Sequence, residues 1–380
     1  MSLSRRQTLS IVGGGVILAA TAALGAIASR RPRIAARPWA EAGRGEDPRR
    51  RALSFALLAP NPHNLQPWRV DLREAGVVTL LVDTTRLLPQ TDPFSRQITI
   101  GLGCFLELLR MAASHDGQRV TITPFPEGET AAFLDARPVA RAVFTPDPSV
   151  PRDPLFAHAR ARRSNKEPYD TRRPLAADIL ARLNVARHGR FGGTIDAAEV
   201  SAWRRVTREA LRIEIATART YRESVDLFRI GRAEVDANPD GIDFTGPLFE
   251  VMAALGLFTR ETALDTGSQA YRAGLDAVFA NADTAMGHVW LVTDGNSRVD
   301  QIAAGQDWLR VNLAATAAGV AFQPLSQALQ EYAEMTALRV RVHESLAPAG
   351  GTVQMLARIG HGPEVDPSPR WPLEAKIVHG

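Results

Sequence analysis

The sequence predicts an α+β fold made of two fused copies of one module, the second copy enlarged by a helical insertion. Helix-period and strand-period patterns alternate through the 380 residues, which is the mark of a mixed fold rather than an all-helical or all-strand one. A set of residues also recurs at a fixed offset. Ser95, Arg96, Ile100, Gly103, Ala112, Ala113 and Gly117 return as Ser297, Arg298, Ile302, Gly305, Ala314, Ala315 and Gly319, each 202 positions later and in the same strand, helix, strand context. Length agrees, since 380 residues at roughly 150 per domain allow two to three units.

In chain order, Asp47 is placed to cap a helix that has Pro48 at its first position and runs on to Ala59, with Leu53, Ala56 and Leu57 facing inward. Trp68 to Leu72 and Val77 to Val82 flank Arg73-Glu74-Ala75-Gly76 and read as a hairpin. Leu102, Phe105, Leu106, Leu109, Ala112 and Ala113 have helical spacing, and Asp116-Gly117 ends that helix. Short strands follow at Val120 to Thr123 and Val139 to Phe144. The segment from Asp147 to Pro154, with Pro148, Pro151 and Pro154, is the best linker in the chain. Beyond it the patterns give a long polar helix at Ala197 to Phe228, a loop-rich stretch from Gly231 to Gly246, and helices near Pro247 to Phe258 and Ser268 to Ala282. Strand Val289 to Thr293, helix Val299 to Ala318 and strand Val353 to Ile359 repeat the earlier order. One residue out of phase, Gln66 and Trp68 face Gln269 and Tyr271. The expected organisation is an N-terminal segment 1–37, a first half 38–150, and a second half 151–380 with an insertion at about 190–267.

Charge is distributed unevenly. The chain has 45 basic and 41 acidic residues, but six arginines and no acids fall before Pro38, so the remainder carries 39 against 41. A near-neutral body of mixed charge excludes a nucleic-acid partner. Cys104 is the single cysteine, which excludes an intrachain disulfide and a thiolate zinc site, and no histidine pair has metal-ligand spacing. At the start, Ser4-Arg5-Arg6-Gln7-Thr8-Leu9 precedes a charge-free run from Ile11 to Ile27 and the small residues Ala26 and Ala28. This resembles a twin-arginine export signal, although Thr8 and Ser10 depart from the usual residues. It implies the export machinery as a partner and a periplasmic location, or an outward-facing anchor if the apolar run is retained in the membrane.

Three segments carry recognisable chemistry. Asn61-Pro62-His63-Asn64-Leu65-Gln66-Pro67-Trp68 sets side-chain amides and an indole in a proline-bounded loop after a helix, and amides offer the donors and acceptors that a heterocycle needs. Arg162-Arg163-Ser164-Asn165-Lys166 gathers three cations and a hydroxyl, the groups that clamp a phosphate. Pro367 to Leu373 is a proline-stiffened arm bearing Arg370. His63, without a partner nearby in sequence, reads as a polar surface group. Gly101-Leu102-Gly103 lacks a third glycine and a preceding buried strand, so it is not a dinucleotide fingerprint.

The amide loop and the Arg-Arg-Ser-x-Lys cluster together resemble the paired signatures of the FMN-dependent nitroreductase superfamily. With the N-terminal signal and the repeat, the chain is similar to its Acg-like FMN-binding branch, in which one chain imitates a nitroreductase homodimer. The resemblance implies a nitroreductase-like fold, one FMN per chain and a monomer that is itself a pseudo-dimer. It implies that Arg162, Arg163, Ser164 and Lys166 hold the phosphate and ribityl chain, with Arg370 reaching the phosphate from the arm. Asn61, Pro62 and Asn64 would lie beside the ring, supported by Gln66 and Trp68, with Ser326 and Gln327 near flavin N5. Asn61-Pro62 departs from the family's serine pair, removing a hydroxyl and a backbone donor.

Two functions are consistent with this reading. One is a flavin-dependent oxidoreductase, the flavin itself being the reactive group, which passes electrons from an unidentified reductant to a small-molecule acceptor. The other is an FMN storage protein without turnover, sealed by a lid from the insertion.

Overall fold

The computed structural model describes residues 32, 34–129 and 132–379. Arg5, Arg6 and the apolar run after them lie outside the described residues. Among the described residues, no helix is long and apolar enough to cross a membrane.

The chain begins with α1 (Arg37–Glu41) and α2 (Pro48–Ala56), the latter capped by the Asp47 carboxylate on Arg49 N–H, with Pro48 at the first helical position. The hairpin β1 (Trp68–Asp71) and β2 (Val77–Val82) leads to α3 (Arg96–His115), β3 (Gln118–Pro124) and β4 (Ala140–Pro146). After α4 (Ile179–Leu183), the second unit runs through β5 (Arg190–Thr194), β8 (Gly287–Thr293), α11 (Arg298–Ala317), β9 (Ala321–Pro324) and β10 (Thr352–Gly360), with α12 (Thr336–Leu346) between the last two strands. Between β5 and β8 lie α5 (Ala197–Ala216), α6 (Ala218–Asp226), β6 (Phe228–Ile230), α7 (Gly231–Ala237), β7 (Ile242–Phe244), α8 (Pro247–Ala254), α9 (Arg260–Leu264) and α10 (Gln269–Asp283). The chain ends on β11 (Ile377–His379).

The first sheet has the order β11-β1-β2-β4-β3 and the second β5-β8-β10-β9. Leaving β11 aside, both sheets read hairpin strand, hairpin strand, last strand, third strand, and each inserts a 20-residue helix after its second strand. Those helices, α3 and α11, pack directly on each other. A Cβ on Gly103 would stand 2.2 Å from Ile302 O, and one on Gly305 would stand 2.0 Å from Ile100 O. Glycine is therefore required at both points for the backbones to touch. The four residues at this crossing belong to the set spaced by 202. Around the crossing, Trp68, Phe105, Trp308 and Phe322 share one core with both sheets. Each such side chain contributes roughly 1.5–3 kcal/mol by burial.

Five sequence expectations change. The helix expected from Ala197 to Phe228 breaks at Thr217, whose ψ of 103 is extended. There the Thr217 hydroxyl donates to Ile213 O (2.8 Å) and the Thr220 hydroxyl to Glu214 O (2.6 Å), so side chains take carbonyls that a continuing helix would use. The stretch from Gly231 to Gly246, read as loop, contains α7 and β7, and β7 pairs in parallel with β6. The added sequence begins after Thr194 rather than at about 190, because β5 pairs with β8 inside the second sheet. Gln269 and Tyr271 open helix α10, whereas Trp68 opens a strand, so the out-of-phase pairing of these segments is not a structural one. The C-terminal arm also leaves the second half, because β11 joins the first sheet in parallel with β1 through Val70 and Ile377.

Candidate functional site

Helix α2 ends at Ala56, and the next residues expose carbonyls at Leu57, Leu58 and Ala59 that no helix bond uses. Two arginines distant in sequence supply the donors. Arg370 gives Nε to Leu57 O (2.8 Å), Nη2 to Leu58 O (3.2 Å) and Ala59 O (3.1 Å), and Nη1 to Pro369 O (2.9 Å) and to Asn64 Oδ1. All five of its donors are therefore placed. Arg162, buried to 2% exposure, gives Nη2 to Leu58 O (2.9 Å), while its Nε and Nη1 are shielded from solvent without a hydrogen-bond partner. No carboxylate pairs with either arginine among the described residues. Burial, with a smaller push from Arg163, lowers Arg162 to about 10. Burial likewise lowers Arg370, with Arg162 adding to it.

Trp39 of α1 lies against the same cluster, its ring 4.8 Å from the Arg163 guanidinium, 5.5 Å from that of Arg370 and 6.0 Å from that of Arg162. Its indole N–H donates to Ser368 O at 2.8 Å, which fastens α1 to the C-terminal arm. Arg163 is half-buried and donates to Val365, Arg160 and Arg162 carbonyls. Ser164 is half-buried and Lys166 exposed. Between them, buried Asn165 donates its backbone N–H to Phe322 O (2.9 Å) and its amide to Pro363 O (2.7 Å). This ties the cation segment to β9 and the arm.

The amide loop is held in a conformation that side chains rarely adopt, with positive φ at His63 (48), Asn64 (54) and Gln66 (51). Its braces explain how that is sustained. Asn61 Oδ1 accepts from Gln66 N–H (2.8 Å) and its Nδ2 donates to Ala59 O (3.2 Å). Gln66 is fully buried, donating to Pro239 O (2.8 Å) and accepting from Trp371 N–H (2.9 Å), and Lys376 Nζ donates to Gln66 O (2.7 Å). Asn64 Nδ2 donates to Pro369 O (3.0 Å). Pro62 and Asn61 rest on Gly101 of α3, where a Cβ would meet them at 3.2 and 3.1 Å. Trp68 sits in the core with its ring 5.0 Å from that of Phe105. Thus Asn61, Asn64 and Gln66 are committed to shaping the loop, and Arg370 is bound to Asn64.

His63 overturns its reading as a surface group. It is half-buried, its Nε2 lies 3.2 Å from Ser224 Oγ of α6, and its Nδ1 is shielded without a partner. Burial first, then the Lys166 charge, pushes it down to about 4. Ser224 Oγ also donates to Glu214 Oε1 of α5 at 3.4 Å. Glu214 is pushed up to about 7 by burial, Glu223 adding to this while the side chains of Gln330, Ser224 and Gln327 pull back. Gln327 and Gln330 belong to the turn after β9, where Ser326 turns its hydroxyl to Leu356 O (3.3 Å). His63 Nδ1, Glu214 Oε2, Gln327 Oε1, Gln330 Oε1 and Tyr332 Oη are all buried without a hydrogen-bond partner. Such a group of orphaned polar atoms is what a polar ligand satisfies.

The segment 231–246 lies over this region. Buried Asp240 accepts from Arg229 Nη2 (2.7 Å), Trp371 Nε1 (2.8 Å) and Arg86, and Gly241 N–H donates to Asn64 O (3.3 Å). The carboxylate thereby joins insertion and arm, and the neighbouring Gly241 N–H joins the insertion to the loop. The structure brings Asn61, Pro62, Asn64, Arg162, Arg163 and Arg370 together around the end of α2. Gln327 faces the His63 side through Glu214, and Ser326 is directed into the second sheet. Sequence reasoning missed Trp39, Glu214, Ser224, Gln330, Tyr332 and Asp240. For Glu214 a signal was present, since it follows Val200, Thr207, Ala210 and Leu211 on the buried stripe of α5, where a carboxylate is out of place.

No protein-family model matches the chain. Over 341 residues it is 26% identical to acg of Mycobacterium tuberculosis, a protein named for an inferred NAD(P)H nitroreductase activity, with 86% of this chain and 94% of that one covered. A second M. tuberculosis protein with the same description is 27% identical over 339 residues, covering 85% of this chain and 88% of its own length. Among solved structures, a nitroreductase from Anabaena variabilis aligns with a TM-score of 0.38 at 13% identity, covering 95% of this chain and all of that one. The FMN-dependent nitroreductase NfnB of Mycobacterium smegmatis, in complex with NADPH, aligns with a TM-score of 0.32 at 16% identity, covering 57% and 92%. At the level of superfamily, the likeness is to nitroreductases.

Proposed function

We propose that this chain is a flavin-dependent oxidoreductase of nitroreductase type, holding one FMN with its phosphate at Arg162 and its ring toward the His63 loop. The observation that carries the reading is Arg162, whose three unplaced donors are buried without a counter-ion beside Arg163, Ser164 and Lys166. A phosphate dianion supplies the missing acceptors and charge, which fits the residues present. The names of the relatives, NAD(P)H nitroreductases, support a nicotinamide reductant and a small organic acceptor.

Bound there, FMN would supply the two-electron chemistry. The chain's residues do the rest. Arg162 and Lys166 neutralise the phosphate, while Arg370 holds Asn64 and the end of α2 so that the loop keeps its left-handed shape. The matching strand orders and the α3–α11 crossing support a pseudo-dimer within one chain. Export through Arg5 and Arg6 is part of the same proposal and rests on sequence alone.

Storage without turnover is the second reading, favoured by the closure of 231–246 on the arm through Asp240 and on the loop through Pro239 O and Gly241 N–H. The test is an absorbance titration of the full chain with FMN, followed by anaerobic NADPH. Stoichiometric binding and bleaching support the oxidoreductase, and a yellow protein that NADPH leaves oxidised supports storage. Arg162→Ala combined with Lys166→Ala should abolish retention of flavin. A double variant that keeps stoichiometric FMN overturns the site.

A further inference from the structure

We propose that His63, Ser224 and Glu214 form a proton relay that opens into the ring end of the site, with His63 Nδ1 the atom that gives or takes the proton. Glu214 is the group that stores it. The proposal rests on the function above and adds to it an acid for the organic acceptor.

The geometry is a line of three side chains from three elements. Ser224 Oγ stands 3.2 Å from His63 Nε2 and 3.4 Å from Glu214 Oε1. Glu214 and Ser224 are each 8% exposed, so bulk water does not replace either link. A hydroxyl in the middle can point its proton either way. When Glu214 is a carboxylate, Ser224 donates to it and accepts from His63 Nε2–H, which leaves Nδ1 as an acceptor. When Glu214 is protonated, the carboxyl donates to Ser224, Ser224 donates to Nε2, and Nδ1 carries the proton. Passing from the second state to the first delivers one proton from Nδ1 and leaves one carboxylate.

The surroundings set the two ends differently. His63 stays neutral above about 4, through burial and the Lys166 charge, so the imidazole changes tautomer rather than charge. Glu214 titrates at about 7, so the store fills and empties near neutral pH. The charged and titratable groups facing it are Glu223 from α6 and Tyr332 from the turn before α12, with the Arg219 and Glu334 pair beyond Tyr332. Glu223 is held by Gln90 N–H, Thr91 N–H and Thr91 Oγ1, and keeps its repulsion on Glu214. Nothing else in the described structure uses His63 Nδ1, which is buried and has no partner.

The acceptor class follows. Two-electron reduction of a quinone or enone to its neutral product takes a hydride equivalent, that is an electron pair with its proton, and one further proton. The hydride equivalent is that of the NAD(P)H-class reductant of the proposed reaction, and His63 Nδ1 provides the further proton. His63 recovers it from Ser224 and Ser224 from Glu214, and Glu214 is re-protonated from solvent. Acceptors whose reduced form needs a proton at a heteroatom or carbon beside the ring are therefore favoured.

The test reads the tautomer of His63, which needs neither flavin nor turnover. The full chain, labelled with 15N-histidine, is titrated by NMR from pH 5.5 to 8.5, and His63→Gln identifies the signal. In the wild type, Nδ1–H should fall from about nine-tenths to about one-tenth of the population across two pH units centred on the Glu214 midpoint. Glu214→Gln should abolish that change, and Ser224→Ala should uncouple His63 from it. A tautomer that does not move in the wild type, or that moves equally in Glu214→Gln, overturns the relay. If FMN fails to bind the wild type while the tautomer switches, the proposed function falls and the relay stands. With FMN bound, quinone reduction by the wild type should lose about tenfold per pH unit above the midpoint, and Glu214→Gln should show no such dependence.

Discussion

Arg162→Met should make the ligand-free protein more stable while abolishing its response to FMN. The folded chain buries this guanidinium without a counter-ion, and burial lowers it from its ordinary value by more than two units, to about 10. At about 1.4 kcal/mol per pKa unit, that drop corresponds to a penalty of about 3 kcal/mol. Because the folded value is depressed and the group is a base, the penalty applies in full below about pH 10. It fades only as pH rises above about 10 toward the ordinary arginine value. Methionine removes the charge and refills most of the volume. Against this gain stands the bond from Nη2 to Leu58 O (2.9 Å), but that carbonyl keeps Arg370 Nη2 at 3.2 Å and is not orphaned. A charged hydrogen bond is worth about 1.5–3 kcal/mol, so the net gain is about 1 kcal/mol.

FMN reverses the ranking. Ligand at a hundred times its Kd stabilises a one-site protein by about 2.7 kcal/mol, and the methionine variant should lose nearly all of that. Urea denaturation at pH 8, with and without FMN, measures both quantities on the same two proteins. The reasoning fails if the variant is less stable than the wild type without flavin, or if it gains as much from flavin as the wild type does. Either result would mean that the unplaced donors of Arg162 have a partner other than a phosphate.

Gly305→Ala places a methyl 2.0 Å from Ile100 O at the α3–α11 crossing, where both neighbours are backbone. It should cost about 3 kcal/mol in urea denaturation, and a loss below about 1 kcal/mol would show that the helices can separate there. Asp240→Asn should speed dissociation of bound FMN about tenfold, read by fluorescence. Burial opposes ionisation of Asp240, yet hydrogen bonds from Arg86 and Trp371 and the charges of Arg229 and Arg86 hold it below the usual carboxylate range. Its stabilisation is thus present above pH 3.8 and lost as pH falls through the lower folded value, and an unchanged release rate in the variant would remove Asp240 as the fastening. Replacing Arg5 and Arg6 by Lys should leave the protein in the cytoplasm, as judged by fractionation, and unchanged delivery would refute the export proposal.

The parts of the fold that local chemistry fixes were legible in the sequence. Asp47-Pro48 opened α2, the apolar run Val77–Val82 after the Arg73–Gly76 turn marked β2, and the spacing of 202 picked out the glycines at which α3 and α11 meet. β5 was not legible, because two adjacent glycines, Gly192 and Gly193, carry no strand signal. They are glycines because a Cβ would stand 2.3 Å from the Trp290 ring or 2.7 Å from Leu180, contacts made only once the sheet has formed. β11 was missed for the same reason, since its partner strand β1 lies some three hundred residues away. The site shows the limit most clearly. From sequence, Arg162 and Arg370 are equivalent candidates for a phosphate, one in a cation cluster and one on an arm. Whether a guanidinium can bind a ligand depends on how many of its donors are already taken, and here the loop after α2 and Pro369 together take all five from Arg370, whereas Leu58 O takes one from Arg162 and leaves its Nε and Nη1 without a partner. The same argument separates the amides. Asn61, Asn64 and Gln66 are occupied in bending the loop, and the unpartnered atom that the bend carries into the site belongs to His63, which becomes visible only when Ser224 is brought to it from 161 residues away.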